Sequence, residues 1–252
     1  MSDTKWIDEF FGSGFYADVY QLLPRIAHAE EEVDDLLSFL DPRPGAHILD
    51  WCGGWGRHAI PLAKRGYKVT LLDYTPLHIE MARKVAEAMG VSLDFVQADF
   101  RDTPPTIQAD LALNLFTSGI GFMQSEDDEK ALRSLHAALK SGTRILIDTM
   151  SLYWIVKNFQ SMGWQELEGS RRLLEERQFD FLTGRNYSRM VFLEPGKPER
   201  ERRFDIKVYS PHELAALVVK AGFVNPRFFG DLRGGELTFD SHRLVLVAEK
   251  GA

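Results

Sequence analysis

The chain has 252 residues, 44% of them apolar, and 30 Lys and Arg against 37 Asp and Glu leave a net charge of −7. That length allows one or two domains, and the apolar fraction supports a sizeable core, which excludes global disorder. The acidic balance disfavours a long polyanion such as a nucleic acid, because holding phosphates takes clustered Lys and Arg. The single cysteine, Cys52, excludes an internal disulfide and a multi-cysteine metal site, and no metal is expected. Met1 to Phe10 lacks the apolar core of a signal peptide, and the longest uncharged stretch, Leu111 to Ser125, is too short to span a membrane. A cytoplasmic location without membrane contact is the expectation.

In chain order, residues 1–44 read as a helical lid, with a helix over 28–40 that places Val33, Leu36, Leu37 and Leu40 on one face. His47-Ile48-Leu49 predicts a strand, followed by the turn Gly53-Gly54-Trp55-Gly56 and a helix to Lys64. Pro61 fits that helix only in its first turn, where its missing N–H would be unpaired in any case. Tyr67 to Leu72 predicts the next strand. Thr75 can cap the following helix and Pro76 suits its first position. Ile79, Ala82, Val85, Ala86 and Met89 would make its buried face. Strands are expected again at Leu93–Gln97, Asp110–Phe116 and Arg144–Asp148, with a helix between the last two that opens on acids and buries Leu132, Leu135 and Leu139.

Strand and helix alternating in this way predict a Rossmann-like, mostly parallel seven-stranded sheet with helices on both faces. Residues 160–204 break the pattern. Their aromatic and charged segments, with turns at Gly184 and Pro195-Gly196, predict a small inserted antiparallel sheet. Its exposed aromatics would suit a homodimer contact. Ser210-Pro211-His212-Glu213 is a capping box that restarts the α/β pattern, and two last strands follow near Phe228 and Leu246. The division is then a lid over 1–44, a Rossmann-like domain over 45–159 and 205–252, and the insertion.

Three successive strand ends carry the chemistry. Asp50 ends the first strand and leads into glycines that let the backbone bend sharply beside a ligand. The N–H groups of the helix start would face an anionic group. Asp73 ends the second strand, where an acid can accept both ribose hydroxyl hydrogens. Ala98-Asp99-Phe100 ends the third, offering an acid for an adenine amino group and a ring to cover the base. Together they describe one adenosine-bearing ligand. The loop lacks the G-x-G-x-x-G spacing of dinucleotide sites.

The arrangement resembles the class I S-adenosylmethionine-dependent methyltransferases. Within them it looks like a bacterial small-molecule-type group with Gly56-Arg57-His58 after the glycine loop. The matching stretches are Leu49 to His58, Arg65 to Asp73, Ala98 to Arg101 and Asn114 to Ser118, with further likeness at Phe179–Arg185 and Val208–Leu214. The resemblance implies S-adenosyl-L-methionine as cofactor. Asp50, Cys52, Gly53, Gly54, Trp55 and Gly56 would hold its methionine part, and Asp73, beside Tyr74, its ribose. Ala98, Asp99 and Phe100 would hold the adenine, and Asn114, Phe116 and Thr117 would lie beside the sulfonium. Cys52 stands where the family usually has a glycine, which argues against a left-handed backbone there.

The implied reaction is methyl transfer to an N or O atom of a small-molecule acceptor by in-line displacement, which needs alignment and dryness more than a catalytic triad. Tyr16, Tyr20, Tyr209 and His242 are the candidate catalytic groups. Tyr16 and Tyr20 lie four apart, on one face if helical, so they read either as lid residues touching the cofactor or as helix packing. Asp50 can equally cap backbone amides, Trp51 and Trp55 can be core or wall, and His58 reads as hydrogen-bonded structure. Two other functions stay open: a cofactor-binding module without catalysis, and an RNA or protein methyltransferase. Asn114-Leu115-Phe116-Thr117 lacks the Asn-Pro-Pro-aromatic motif that marks methylation of exocyclic amines in bases.

Overall fold

The computed structural model describes residues 5–23 and 27–251. Residues 1–4 and 24–26 of the expected lid lie outside the described residues. A short helix α1 (Lys5–Ile7) runs into a wide turn at Asp8–Gly12, followed by α2 (Phe15–Tyr20) and α3 (Ala29–Leu40). The α/β series is β1 (His47–Trp51), α4 (Ala59–Lys64), β2 (Lys68–Asp73), α5 (Pro76–Ala88), β3 (Asp94–Gln97), β4 (Ala109–Asn114), α6 (Ser125–Ala137) and β5 (Leu139–Met150). After α7 (Leu152–Asn158) come four strands, β6 (Met162–Leu167), β7 (Arg171–Asp180), β8 (Arg185–Leu193) and β9 (Arg200–Lys207). The chain closes with α8 (Pro211–Lys220), β10 (Phe223–Phe229) and β11 (Arg243–Lys250).

Seven strands form one sheet in the order β10-β11-β5-β4-β1-β2-β3. The pairs among β1 to β5 are parallel, and β11 is antiparallel to both β5 and β10. This is the Rossmann-like sheet expected. All five residues of β1 are buried, as befits a central strand covered on both faces. One apolar layer gathers Val33 and Leu36 of α3, Leu62 of α4 and Ile79 of α5 over Ile48 and Leu71. The other gathers Leu132 and Leu135 of α6 with Leu214 and Val218 of α8 over Leu49 and Ile147. The strand order reverses between β1 and β4, and the carboxyl ends at that switch point open into a crevice.

Several local expectations change. Pro61 is the third residue of α4, inside the first turn, so the helix tolerates it. Thr75 sits at the N-cap of α5, but its hydroxyl makes no cap bond; its N–H instead donates to Asp73 Oδ1 at 2.8 Å. Val85 and Met89 are exposed, because α5 lies over the edge strand β3, which is only four residues long. Leu139 belongs to β5 rather than to the stripe of α6, which ends at Ala137. The capping box at Ser210 forms in full, with Ser210 Oγ and the Glu213 carboxylate each accepting the other's backbone N–H.

β6 to β9 make a separate antiparallel sheet in sequence order. Its inner face buries Leu173, Met190 and Phe192 against Phe10, Phe15 and Val19 of the N-terminal segment. The loop after β4 joins this sheet to the main one, since Gly121 O accepts the Lys207 N–H at 2.8 Å. Gly121 has φ +90, and a Cβ there would run into the Lys207 carbonyl oxygen. Gly121→Ala is therefore expected to lower stability by about 2–3 kcal/mol, read from urea melts; an unchanged midpoint would show that the joint carries no strain.

Candidate functional site

The crevice holds two adjoining cavities. The first is lined by the ends of β1, β2 and the segment after β3, and its walls include Asp50, Cys52, Gly53, Gly54, Trp55, Asp73, Tyr74, Asp99, Phe100 and Phe116, with Tyr16 above. Most of the residues expected to hold a cofactor thus meet in one cleft. Gly56, Ala98, Asn114, Thr117 and Tyr20 do not line it. Gly56 shapes the turn at φ +83, and Ala98 donates its N–H to Asp73 O at 3.1 Å. Asn114 serves as a strut, its buried Nδ2 donating to Trp51 O at 2.9 Å.

Asp50 is fully enclosed. The Ala59 N–H is bonded to its carboxyl, so the helix-start amide goes to Asp50 rather than to a ligand. Asp50 Oδ2 is buried without a partner. Burial pushes the pKa of Asp50 up to about 7. A Cβ on Gly53 would stand 2.6 Å from that oxygen, so the glycine leaves the carboxyl its room. Cys52 adopts φ +64, contrary to the expectation drawn from its side chain. The turn requires the left-handed conformation, and Gly119 makes space for the thiol: a Cβ there would lie 2.8 Å from Cys52 Sγ. Burial and the carboxylates around it push the Cys52 thiol well up, so it packs as a neutral group.

Asp73 accepts the Gly54 N–H at 2.9 Å and the Thr75 N–H at 2.8 Å, one on each oxygen. Each oxygen has a further lone pair, and His78 Nδ1 lies 3.5 Å from Oδ1. Asp99 accepts the Arg101 N–H at 2.8 Å and pairs with its guanidinium at 2.6 Å, which orients the carboxylate at the cleft wall. Phe100 is buried with its ring 5.4 Å from that of Trp51. Trp51 itself is core, while Trp55 is wall.

Phe116 and Thr117 form a turn with φ +63 and +54. Two consecutive left-handed residues, one of them β-branched, hold strain of about 1–3 kcal/mol each. Asp148 on β5 holds this turn. Its Oδ2 accepts the Phe116 N–H at 3.0 Å, and its carbonyl accepts the Thr117 N–H at 2.9 Å. Arg243 Nη1 reaches Asp148 Oδ2 at 2.6 Å, and Arg243 also pairs with Glu32 of α3. Glu32 lies 2.7 Å from Arg57 Nη2 and 2.9 Å from His58 Nε2. Burial alone would raise Glu32, but the bond from His58 and the charges of Arg57 and Arg243 hold it near 2. Burial keeps His58 neutral, with its pKa down to about 4, so its Nε2–H tautomer donates to Glu32.

Arg57 was not singled out from the sequence, although the Gly-Arg-His stretch contains it. Its guanidinium stands 4.7 Å over the Phe116 ring, lines the first cavity, pairs with Glu32 through Nη2, and keeps a buried Nη1 without a hydrogen-bond partner. The cleft therefore offers a lone acceptor on Asp50 and a lone donor, Nη1, on Arg57. His78, a histidine the sequence offers as a candidate base, lines the cleft edge-on to Trp55. Glu32, Asp148 and Arg243 carried no signal, since each meets the others only through the fold.

The second cavity, about 730 Å³, lies between the main sheet, the N-terminal segment and the antiparallel sheet. It shares Phe11, Tyr16, Phe116, Ser118 and Phe122 with the first. Tyr16, Tyr20, Thr117 and His242 line it, with the His242 ring 4.4 Å from that of Trp154. Tyr16 and Tyr20 sit on α2 with ring centres 4.0 Å apart, and Tyr16 also contacts Trp55. Tyr209 drops out as a catalytic candidate. It lines neither cavity, is buried, and donates its phenol hydrogen to Asp128 Oδ2 at 2.6 Å. Among the described residues no cluster of ligand-type side chains would hold a metal ion, and no helix is long and apolar enough to cross a membrane.

Comparison with known proteins follows the same geometry. Residues 48–142 match a family described as a methyltransferase domain. The structure superposes on the CcbJ methyltransferase from Streptomyces caelestis with a TM-score of 0.80, covering 94% of this chain and 96% of that one at 19% identity. The fold is that of the methyltransferases. A second structure, the S-adenosylmethionine-bound amino pentose methyltransferase CalS10 from Micromonospora echinaspora, aligns with a TM-score of 0.69 over 94% of this chain and 96% of that one, at 19% identity. In sequence, the tRNA 5-carboxymethoxyuridine methyltransferase of Escherichia coli K12 is 30% identical over 146 residues, 56% of this chain and 54% of that protein. The chain spans about half the length of the curated relatives it matches.

Asp50 makes the cleft pH-sensitive. Its folded pKa of about 7 lies above its ordinary 3.8, so the stability it contributes is full below about pH 4 and lost as pH rises through about 7. Asp50→Asn removes that loss. The variant is expected to gain stability over the parent between about pH 4 and pH 7 in denaturant melts; a constant difference across that range would exclude a buried ionisable Asp50.

Proposed function

We propose that the protein transfers a methyl group from S-adenosyl-L-methionine to an N or O atom of a small-molecule acceptor by in-line displacement. The observation that carries this reading is the presence, in one buried cleft, of an unpartnered carboxyl oxygen on Asp50 and an unpartnered guanidinium nitrogen, Nη1, on Arg57. An amino-acid zwitterion satisfies both, its ammonium on Asp50 and its carboxylate on Arg57. Asp73 offers lone pairs for a ribose diol, and Asp99 with Phe100 offers an acid and a ring for an adenine. When bound, the cofactor supplies a methyl group activated on a positively charged sulfur.

The protein's own part is alignment and exclusion of water. Phe11, Tyr16 and Phe122 stand where the two cavities meet, and the Phe116–Ser118 turn forms their common wall. An acceptor in the second cavity lies across that wall from the cleft. A neutral amine needs no base. For an acceptor that arrives protonated, Tyr16, Tyr20 and His242 are the groups at hand.

The tRNA-acting relative raises nucleic acid as a second acceptor class. The cavity counts against it: aromatic side chains from three segments enclose it, and its carboxylates and guanidiniums pair with one another. Conversion of S-adenosylmethionine to S-adenosylhomocysteine in the presence of each member of a panel of small amines and hydroxylated rings, with bulk tRNA alongside, separates the readings. Turnover on tRNA alone would overturn the small-molecule assignment, and tight cofactor binding with no turnover on any acceptor would favour a binding module. Asp73→Ala is expected to weaken S-adenosylhomocysteine binding by at least about 1.5 kcal/mol through lost charge-assisted hydrogen bonds, measured by calorimetry; unchanged affinity would refute the ribose assignment.

A further inference from the structure

The inner face of the antiparallel sheet departs from the pattern of a buried strand face. Side chains on a strand alternate between faces, and cross-strand partners share one. Leu173 pairs with Phe192, and both are buried and apolar. Further along the same face the inward positions turn polar: Glu175 and Arg177 on β7, Ser188 and Asn186 on β8, with Arg177 directly opposite Ser188. All four line the second cavity, and Phe204 and Ile206 of β9 flank them. Polar side chains on an inward face are unfavourable unless each finds a partner.

The partners are incomplete at one atom. Glu175 and Arg177 bond to each other. Asn186 Nδ2 donates to Ser188 Oγ at 3.4 Å. Asn186 is only 7% exposed, and its Oδ1 is buried with no partner. An orphaned acceptor of this kind carries a desolvation penalty that a ligand donor would relieve. The charges on the wall are already matched, Glu175 with Arg177 and Asp148 with Arg243. The remaining surface is rich in aromatic rings, among them Trp6, Phe10 and Trp154, which suit flat, weakly polar faces.

We propose that the second cavity takes an uncharged, ring-bearing acceptor whose N–H or O–H group, at the end remote from the methylated atom, donates to Asn186 Oδ1. Asn186 is then a specificity-determining residue supplied by the antiparallel sheet. The use of the cavity rests on the methyl-transfer reading, and the inference adds the chemical class of its occupant.

The test is calorimetry on the full chain saturated with S-adenosylhomocysteine, using two matched pairs of probes: 6-hydroxyquinoline against quinoline, and indole against 1-methylindole. The donor-bearing member is expected to bind at least about fivefold tighter, a modest share of the worth of a buried hydrogen bond. Asn186→Leu should bring the ratio within about twofold, while Asn186→Asp, which keeps the acceptor oxygen, should retain the preference even if the leucine variant fails to fold. Neither pair showing a preference, a preference that survives in Asn186→Leu, or tighter binding of benzoate or benzylammonium than of the neutral rings would overturn the proposal. S-adenosylhomocysteine affinity reads the first cavity separately. Its loss in the parent protein would sink the methyl-transfer reading, whereas a missing donor preference beside intact cofactor binding would sink only the acceptor class.

Discussion

One buried carboxylate, Asp148, holds the turn that both cavities share. Phe116 and Thr117 sit in a conformation that side-chain-bearing residues avoid. They stay there because Asp148 takes one N–H on its carboxylate and the other on its carbonyl. Removing Asp148 from water is itself unfavourable, and burial pushes its pKa up against the pull of Arg243. Arg243 answers that charge and is answered in turn by Glu32, which also faces Arg57 and His58. Such a chain of buried ions is stable only when every link is made, so the turn, α3, the start of α4 and the last strand stand or fall together.

The same economy explains why the crevice carries polar atoms without partners. A fold that satisfied Asp50 Oδ2, Arg57 Nη1 and Asn186 Oδ1 internally would be more stable. Leaving them open lowers stability and raises the affinity for whatever completes them. Their placement follows a division of labour. The main sheet supplies most walls of the first cavity, and the antiparallel sheet, packed on the N-terminal segment, supplies one wall of the second.

Much of this was legible in the chain. Alternating periods of two and 3.6 residues announce the strands and helices of the parallel sheet, because one face of each must be buried and the pattern is local. Asp50, Asp73 and Asp99 could be picked out because each ends an apolar run and is followed by a turn, and strand ends in a parallel sheet fall on one edge. The Ser210 capping box is local in the same sense. Local pattern misled where packing decides: Val85 and Met89 continue the helical period of α5 yet lie beyond the reach of a four-residue edge strand.

The fold class, the strand-end acids and the ligand they describe were determined by the sequence alone, since periodicity and turn chemistry act over a few residues. Tertiary structure decided the left-handed Cys52, which is permitted by a glycine 67 positions away. It withdrew Tyr209 into a bond with Asp128 and brought Glu32, Asp148 and Arg243 together across 211 residues. It also turned Asn186 toward a cavity whose other walls come from distant segments. Those outcomes depend on which remote atoms share a buried volume, and burial is a property of the assembled chain rather than of any stretch of it.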